Sequence, residues 1–410
     1  MHPKTGDIKA WVGGISQKHL QYDHVKSKRP VGSTFKPILY ATALTQNIPP
    51  CEYIHNRLVT YTEYDDWQPK NADEKYGGVY SLEGGLTNSV NTISVDLIMR
   101  TGLKPVMDMA KEMGVVNSVP EVPSIALGTA ELTLFEMVNA YATLANHGKR
   151  PSLRYISKIE DKHGEVIFED VETPESKYTH VLDTLTTQMM TKMLQSVVDN
   201  GTGRRLRFKY GYTLPIAGKT GTTQNHSDGY FIGYTPDIVA GVWVGGEIPK
   251  VRFKSLSLGG GSNMALPVFA EFLGSCLKDK SFASWNNNYF LEMPDSMRVM
   301  MDCEHFHDEM PVYVEAEVEG EATDFDEKLS DLIEKLRGKA KREHETRTQN
   351  TPDDARKRKY PTKTQSEQRR KKEIERTKAY ERAKKRREKF EKKKKKKDKR
   401  KGIFDRVFGG

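Results

Sequence analysis

Apolar positions cluster in the first 285 residues of the chain, in runs broken by Gly, Pro and Asn. Pro37-Ile38-Leu39-Tyr40-Ala41-Thr42-Ala43-Leu44 is apolar nearly all round. A helix of that composition is buried on every face. Proline is tolerated in a helix's first turn, which sets the start near Ser33-Thr34. Leu132–Asn146 carries apolar residues at helical spacing, with Gly148 placed as a C-cap. Residues 214–246 instead alternate short apolar strands with turns. The strands are Ile216-Ala217-Gly218, Gly229–Tyr234 and Ile238–Val244, the last two joined at Pro236-Asp237. This pattern predicts an antiparallel meander. Helices packed on an antiparallel sheet make an α+β fold. Tyr230, Phe231 and Trp243 lie on these strands and are read as core rather than cleft wall.

Past residue 285 the pattern decays. Residues 286–334 read as an acidic transition segment, with an acidic run from Glu315 to Glu327. Residues 335–410 form a Lys/Arg-rich, low-complexity tail with 33 Lys and Arg against 12 Asp and Glu. Such a stretch buries too little apolar surface to offset the entropy of ordering its backbone. Pairs such as Glu381 with Lys385 support a solvated helix, and the run Lys392–Lys397 opposes one by self-repulsion.

Composition matters mainly through this split. The net charge of +9 combines the basic tail with an acidic body of 32 Lys and Arg and 44 Asp and Glu. The two halves therefore suit different partners. The tail favours an anionic membrane or polymer. It contains no recognised nucleic-acid reading motif, so no specific nucleic acid is expected. No stretch approaches the ~18 consecutive apolar residues of a membrane helix. No apolar region follows Met1-His2-Pro3-Lys4 to make a signal peptide. Three cysteines, Cys51, Cys276 and Cys303, are too scattered for a paired zinc site. Cys276 and Cys303 are left as free thiols or as a pair in an oxidising compartment.

Three short motifs carry the candidate chemistry. Ser33-Thr34-Phe35-Lys36 is an S-x-x-K, which on a helix puts Lys36 one turn from the Ser33 hydroxyl. A serine needs a base to become a nucleophile. Lysine serves as that base once burial or a nearby cation lowers its pKa from about 10.4. Ser89-Val90-Asn91 is an S-x-N, suited to relaying a proton and holding Lys36 or a substrate amide. Lys219-Thr220-Gly221-Thr222 opens the meander. Lys219 supplies a cation for a carboxylate, Thr220 and Thr222 supply hydroxyls, and Gly221 allows close approach to the strand backbone. His226, just beyond, is read as a solvated loop histidine rather than a substrate contact. Alone, S-x-x-K is weak evidence, since ~1–2 chance matches arise in a chain of this length.

The three motifs in this order resemble the active-site set of the penicillin-binding proteins and serine β-lactamases, with Val90 where S-D-N has Asp. Other stretches resemble the transpeptidase domain of class A penicillin-binding proteins. They are Asp7–Gly14, read as a strand and turn, Arg29–Gly32, Trp67–Asn71, Ala126–Gly128, Asn200–Gly203 and Asp228–Gly245. The resemblance covers roughly residues 3–285, and residues 1–285 are taken as the transpeptidase domain. It implies an antiparallel sheet flanked by helices plus a helical subdomain, with no metal or cofactor. It implies a D,D-transpeptidase that cross-links peptidoglycan stem peptides through an acyl-enzyme on Ser33 and also takes β-lactams. Lys36 is then the base, with Ser89 and Asn91 assisting. Lys219, Thr220, Gly221 and Thr222 bind substrate, and the backbone N–H groups of Ser33 and Thr222 form the oxyanion hole. The alternative is a D,D-carboxypeptidase or β-lactamase-like hydrolase, although no E-x-x-L-N with a deacylating Glu occurs. The resemblance also implies the bacterial cell envelope, at the outer face of the cytoplasmic membrane. It implies that the membrane anchor and glycosyltransferase domain preceding a class A transpeptidase are missing here.

The charge split is testable. Each Lys or Arg near an anionic bilayer contributes about 1 kcal/mol. Deleting residues 335–410 should abolish co-sedimentation with anionic vesicles and leave acylation by penicillin intact. Binding by the full chain should weaken as salt shortens the screening length below ~8 Å.

Overall fold

The computed structural model describes residues 1–311, apart from 17, 19–21, 171–177, 224–225 and 249. The acidic run from Glu315 and the tail 335–410 lie outside the described residues.

Helix α1, Lys36–Thr45, runs through the centre of the body, with Lys36 through Leu44 all buried. The apolar run predicted this burial. Its start differs: Gly32–Phe35 forms a separate 3-10 turn, and the α-helix opens at Lys36. Pro37 sits where its missing N–H costs no hydrogen bond. In 3-10 geometry residues i and i+3 eclipse. Ser33 and Lys36 are therefore set one above the other at the head of α1.

Around α1 pack α2 (Leu82–Thr87), α3 (Asn91–Thr101) and, further along the chain, α5 (Thr184–Asp199), with α4 (Leu134–Ala145) packed against α5. Helix α4 starts two residues later than the apolar pattern predicted, because Leu132 pairs with Arg29 in a short antiparallel ladder. Thr133 and Glu136 then form a reciprocal capping box.

A small antiparallel ladder joins β1 (Tyr53–His55) to β2 (Val79–Ser81). The meander is β3 (Ala217–Thr222), β4 (Asp228–Tyr234) and β5 (Val239–Gly245), with β4 central and both pairings antiparallel. Helix α6, Gly261–Lys278, covers one face of it with Leu266, Phe269 and Leu273 against Phe231. The other face joins the main core through Ile232, Tyr234 and Val239. The fold is α+β, an antiparallel sheet flanked by helices.

Three expectations change. Asp7–Gly14 is not a strand: only Asp7 makes an isolated bridge, to Arg154. Trp11 is drawn off instead, donating from Nε1 to Asp23 Oδ2 at 3.0 Å and packing on Phe135. Met1 rather than this segment meets the free edge of β5, exchanging two backbone bonds of 2.9 Å with Val239. Trp243 is not core. It is half-buried, lies under the Arg29 guanidinium, and donates to Asp228. Tyr230 and Phe231 are buried as expected.

The cysteines are the third change. Cys303 pairs with Cys51 and not with Cys276, which is free. The physical reason is the path of the chain beyond residue 285. Phe290 packs edge-on against Tyr234, and Gln188 donates to the Glu292 carbonyl. A last strand β6, Phe306–His307, then pairs with β2. Tyr53 adds a hydrogen bond from its hydroxyl to the Glu304 carbonyl. The packed body therefore runs past 285, and this return strap carries Cys303 to Cys51.

A cross-link spanning 252 residues constrains the unfolded chain strongly. Cys303→Ser should lower unfolding free energy by about 2–5 kcal/mol. Denaturant titration checks this. Reductant should shift the wild type by the same amount and leave Cys303→Ser unmoved.

Candidate active site

Three separate segments converge at the head of α1. Ser33 lies on the 3-10 turn and is half-buried. Its hydroxyl makes no hydrogen bond to Lys36 among the described residues. The turn is pinned from behind: Tyr141 donates to the Thr34 carbonyl at 2.9 Å, and the Thr34 hydroxyl bonds the Val31 carbonyl at 2.7 Å.

Strand β3 presses directly on this turn, and glycine permits it. Gly32 adopts φ 56°, and a Cβ on it would sit 2.8 Å from Thr222 O and 3.0 Å from Thr222 N. A Cβ on Gly221 would meet the Val31 carbonyl at 2.8 Å. The backbones of Ser33 and Thr222 are thus brought side by side.

Lys36 is fully buried. Its Nζ donates to the Ser89 carbonyl at 2.8 Å and to Asn91 Oδ1 at 2.9 Å, with Ser89 Oγ at 3.4 Å. Burial, and after it the charge of Lys219, hold its pKa well below the ordinary lysine value. A neutral amine has two N–H groups and one lone pair. The two short bonds use both N–H groups and leave the lone pair for a hydroxyl proton. Ser89 reaches this arrangement with φ 59°, a left-handed conformation uncommon for a residue with a side chain.

Lys219 is also fully buried, and its Nζ donates to the Thr220 carbonyl at 3.2 Å. Burial brings its pKa down to about 7. Thr222 accepts from Gly261 N at 3.0 Å, so its hydroxyl proton is free to point at an anion. Thr220 differs from expectation: its hydroxyl donates to Thr202 Oγ1 at 2.7 Å. His226 also differs. It is half-buried against Gly259, and its Nδ1 has no hydrogen-bond partner among the described residues.

Motif reasoning gave no role to several residues that shape the site. Asp228, 2% exposed, accepts from Thr223 Oγ1 at 3.0 Å, Ser227 Oγ at 2.6 Å and Trp243 Nε1 at 3.0 Å, closing the turn after β3. Thr202 anchors Thr220. Asn71 and Asn56 lie behind Asn91. Three of these four, Asp228, Thr202 and Asn71, fall in stretches marked by the family resemblance; Asn56 carries no such signal.

Residues 1–272 match the penicillin binding protein transpeptidase domain. The chain belongs to that family. Penicillin-binding protein 1A of Aquifex aeolicus (strain VF5) is 38% identical over 274 residues, which are 66% of this chain and 36% of that protein. Penicillin-binding protein 1A of Neisseria meningitidis serogroup B (strain ATCC BAA-335 / MC58) is 32% identical over 289 residues, 68% of this chain and 35% of that protein. The chain thus spans little more than a third of the length of these curated relatives. Among solved structures, penicillin-binding protein 1A from Haemophilus influenzae superposes with a TM-score of 0.64 at 23% identity, over 72% of this chain and 48% of that one. PonA1 from Mycobacterium tuberculosis in complex with penicillin V gives 0.60 at 22% identity, over 72% and 80%. At these identities the superpositions establish the fold of this penicillin-binding domain.

The two depressed lysines set a pH dependence. Between about 7 and about 10.4 the unfolded chain binds a proton on Lys219 that the folded domain does not hold, and the depressed Lys36 acts in the same direction. Stability from this pair is therefore smallest at low pH and rises through that window. Urea unfolding at pH 7 and pH 9 should show the rise, and Lys219→Met should reduce it.

Proposed function

We propose that the chain is a serine D,D-transpeptidase that cross-links peptidoglycan stem peptides, and that it is acylated by β-lactams at the same serine. The observation that carries the reading is the Lys36 amine: buried, with both N–H groups committed to Ser89 and Asn91. Its lone pair takes the Ser33 proton as Ser33 Oγ attacks the carbonyl of the penultimate D-Ala. Negative charge then develops on the carbonyl oxygen, between the backbone N–H groups of Ser33 and Thr222. One such donor is worth about 2.7–4 kcal/mol. Lys219, with the Thr222 hydroxyl, holds the terminal carboxylate, while Thr220 is tied to Thr202, and Gly221 lets the donor lie against β3. The Ser89 hydroxyl passes the proton from Lys36 to the departing D-Ala nitrogen. An amine from a neighbouring stem then attacks the ester, forming the cross-link and freeing Ser33.

The setting follows from the same chemistry. Stem peptides lie outside the cytoplasmic membrane, so the domain works in the cell envelope at the outer face of the cytoplasmic membrane. The Cys51–Cys303 cross-link suits that oxidising compartment. Among the described residues no helix is long and apolar enough to cross a membrane. The basic tail suits contact with anionic lipid or wall polymer. A D,D-carboxypeptidase or β-lactamase uses the same acyl-enzyme with water as acceptor.

Intact-protein mass after incubation with a penicillin separates the transpeptidase from a β-lactamase. The expected result is one stable adduct, absent in Ser33→Ala. Fast penicillin turnover without a lasting adduct would establish the β-lactamase instead. No adduct on folded wild-type protein would overturn the site.

A further inference from the structure

Lys36 takes its acceptors from residues 89–91, a segment that lacks a helix cap of its own. Helix α3 opens at Asn91 with Val90 in the N-cap position, and Val90 has no side-chain acceptor to offer. The S-D-N form of the motif puts Asp at this position, and Asp is among the preferred caps. The first N–H groups of α3 are nevertheless satisfied. Asn71 Oδ1 accepts from Asn91 N at 2.9 Å and from Thr92 N at 3.1 Å.

Asn71 comes from the Trp67–Asn71 loop, twenty residues upstream, and is 6% exposed. Its own amide is spoken for: Nδ2 donates to Asn56 Oδ1 at 2.7 Å and to the Lys75 carbonyl at 2.8 Å. Thr92 donates to the same Asn56 oxygen at 2.7 Å. With Nδ2 placed there, Oδ1 must face α3. The residue before it acts on Asn91 directly. The Lys70 carbonyl accepts from Asn91 Nδ2 at 2.8 Å. That bond fixes the Asn91 amide, turning its oxygen towards Lys36 Nζ.

We propose that Asn71 is a positioning residue for acylation: it caps α3 from another loop and, with the Lys70 carbonyl beside it, holds Asn91 Oδ1 on Lys36 Nζ. The proposal rests on the acyl-enzyme reading above. It assigns a task to the Trp67–Asn71 stretch, which touches neither Ser33 nor β3 in the hydrogen bonds described. It also accounts for Val90, since a cap supplied from outside frees that position from needing an acceptor.

Two variants separate positioning from simple structural support. Asn71→Ala removes the cap and releases the loop from Asn56. Asn71→Asp keeps an acceptor for both α3 N–H groups, loses the two donated bonds, and adds a negative charge near Lys36. The charged group facing Lys36 from the sheet is Lys219. From the α3 side it meets the uncharged Ser89 and Asn91. The carboxylates of α3 and α2 are engaged elsewhere, Asp96 with Arg100 and Glu83 with His305. Tyr40 on α1 contacts Ser94. An added carboxylate therefore favours the charged form of Lys36 and moves the acid limb of the reaction to higher pH.

The measurement is the second-order rate of acylation by a fluorescent penicillin, taken across pH, beside the unfolding midpoint of each protein. Asn71→Ala should acylate about 100-fold more slowly, the cost of misplacing a reacting group by about 1 Å. Asn71→Asp should recover most of the rate at alkaline pH, with its acid limb displaced upward. If Asn71→Ala fails to fold, the pH profile of Asn71→Asp decides alone. Wild-type rate and pH profile in the variants, even with lowered unfolding midpoints, would make Asn71 a structural residue and overturn the proposal. A wild-type protein that takes no penicillin would overturn the acyl-enzyme reading, and this proposal with it. Acylated wild type with unaltered variants overturns the positioning role alone.

Discussion

Everything at the head of α1 depends on one buried amine. Lys36 is enclosed by apolar residues of its own helix, yet it finds two short acceptors in Ser89 and Asn91. Burying a charge without a partner is expensive, and a titratable group meets that cost by shifting its pKa and neutralising. With Lys219 buried nearby, two cations in one low-dielectric pocket disfavour each other further. The same burial that would make a lysine a liability in a core leaves this amine neutral, with the lone pair a base needs. The acceptors matter as much as the burial, because they decide where the lone pair points.

The rest of the body fixes those acceptors and Ser33 against each other. Ser33 is held by Tyr141 from α4 and pressed by β3 at two glycines. The S-x-N segment is held by Asn71 and the Lys70 carbonyl. Strand β3 is tied to α6 by Thr222 with Gly261, and to the loop after α5 by Thr220 with Thr202. Most of these ties are hydrogen bonds between a polar side chain and a backbone group or another hydroxyl. Such bonds contribute modestly to stability, about 1 kcal/mol each, but they specify geometry. The strap from 288 to 307 closes the opposite side. It packs on Tyr234, pairs with β2 and cross-links to Cys51. His305 Nε2 within it lies 3.4 Å from Ser196 Oγ, and Ser196 in turn receives the Thr87 hydroxyl at the end of α2. The strap thereby reaches the helix that leads into Ser89.

The sequence carried a good part of this. An apolar run too uniform for a surface helix marked α1 as buried, and short apolar runs with glycine and proline punctuation marked the meander. Three motifs in fixed order marked Ser33, Lys36, Ser89, Asn91 and Lys219–Thr222, because the chemistry needs those residue types at those places. The charge split marked the boundary between a chain that can build a core and one that cannot. These are local properties, and local pattern is what a sequence states directly.

Other features depended on segments far apart in the chain. Cys303 pairs with Cys51 because the strap returns to β2, and no spacing rule links residues 252 apart. Asp7–Gly14 was read as a strand from the family resemblance and did not become one, because Trp11 found better partners in Asp23 and Phe135. Trp243 looked like core and became a platform for Arg29, since its Nε1 was taken by Asp228 at the sheet's edge. Asn71 carries no chemistry of its own, and its importance exists only through the N–H groups it meets twenty residues away. Residue type and period determined which groups were capable of acting. Which of them face one another, and with what protonation, was decided by long-range packing, since burial and hydrogen-bond partners are properties of the folded chain.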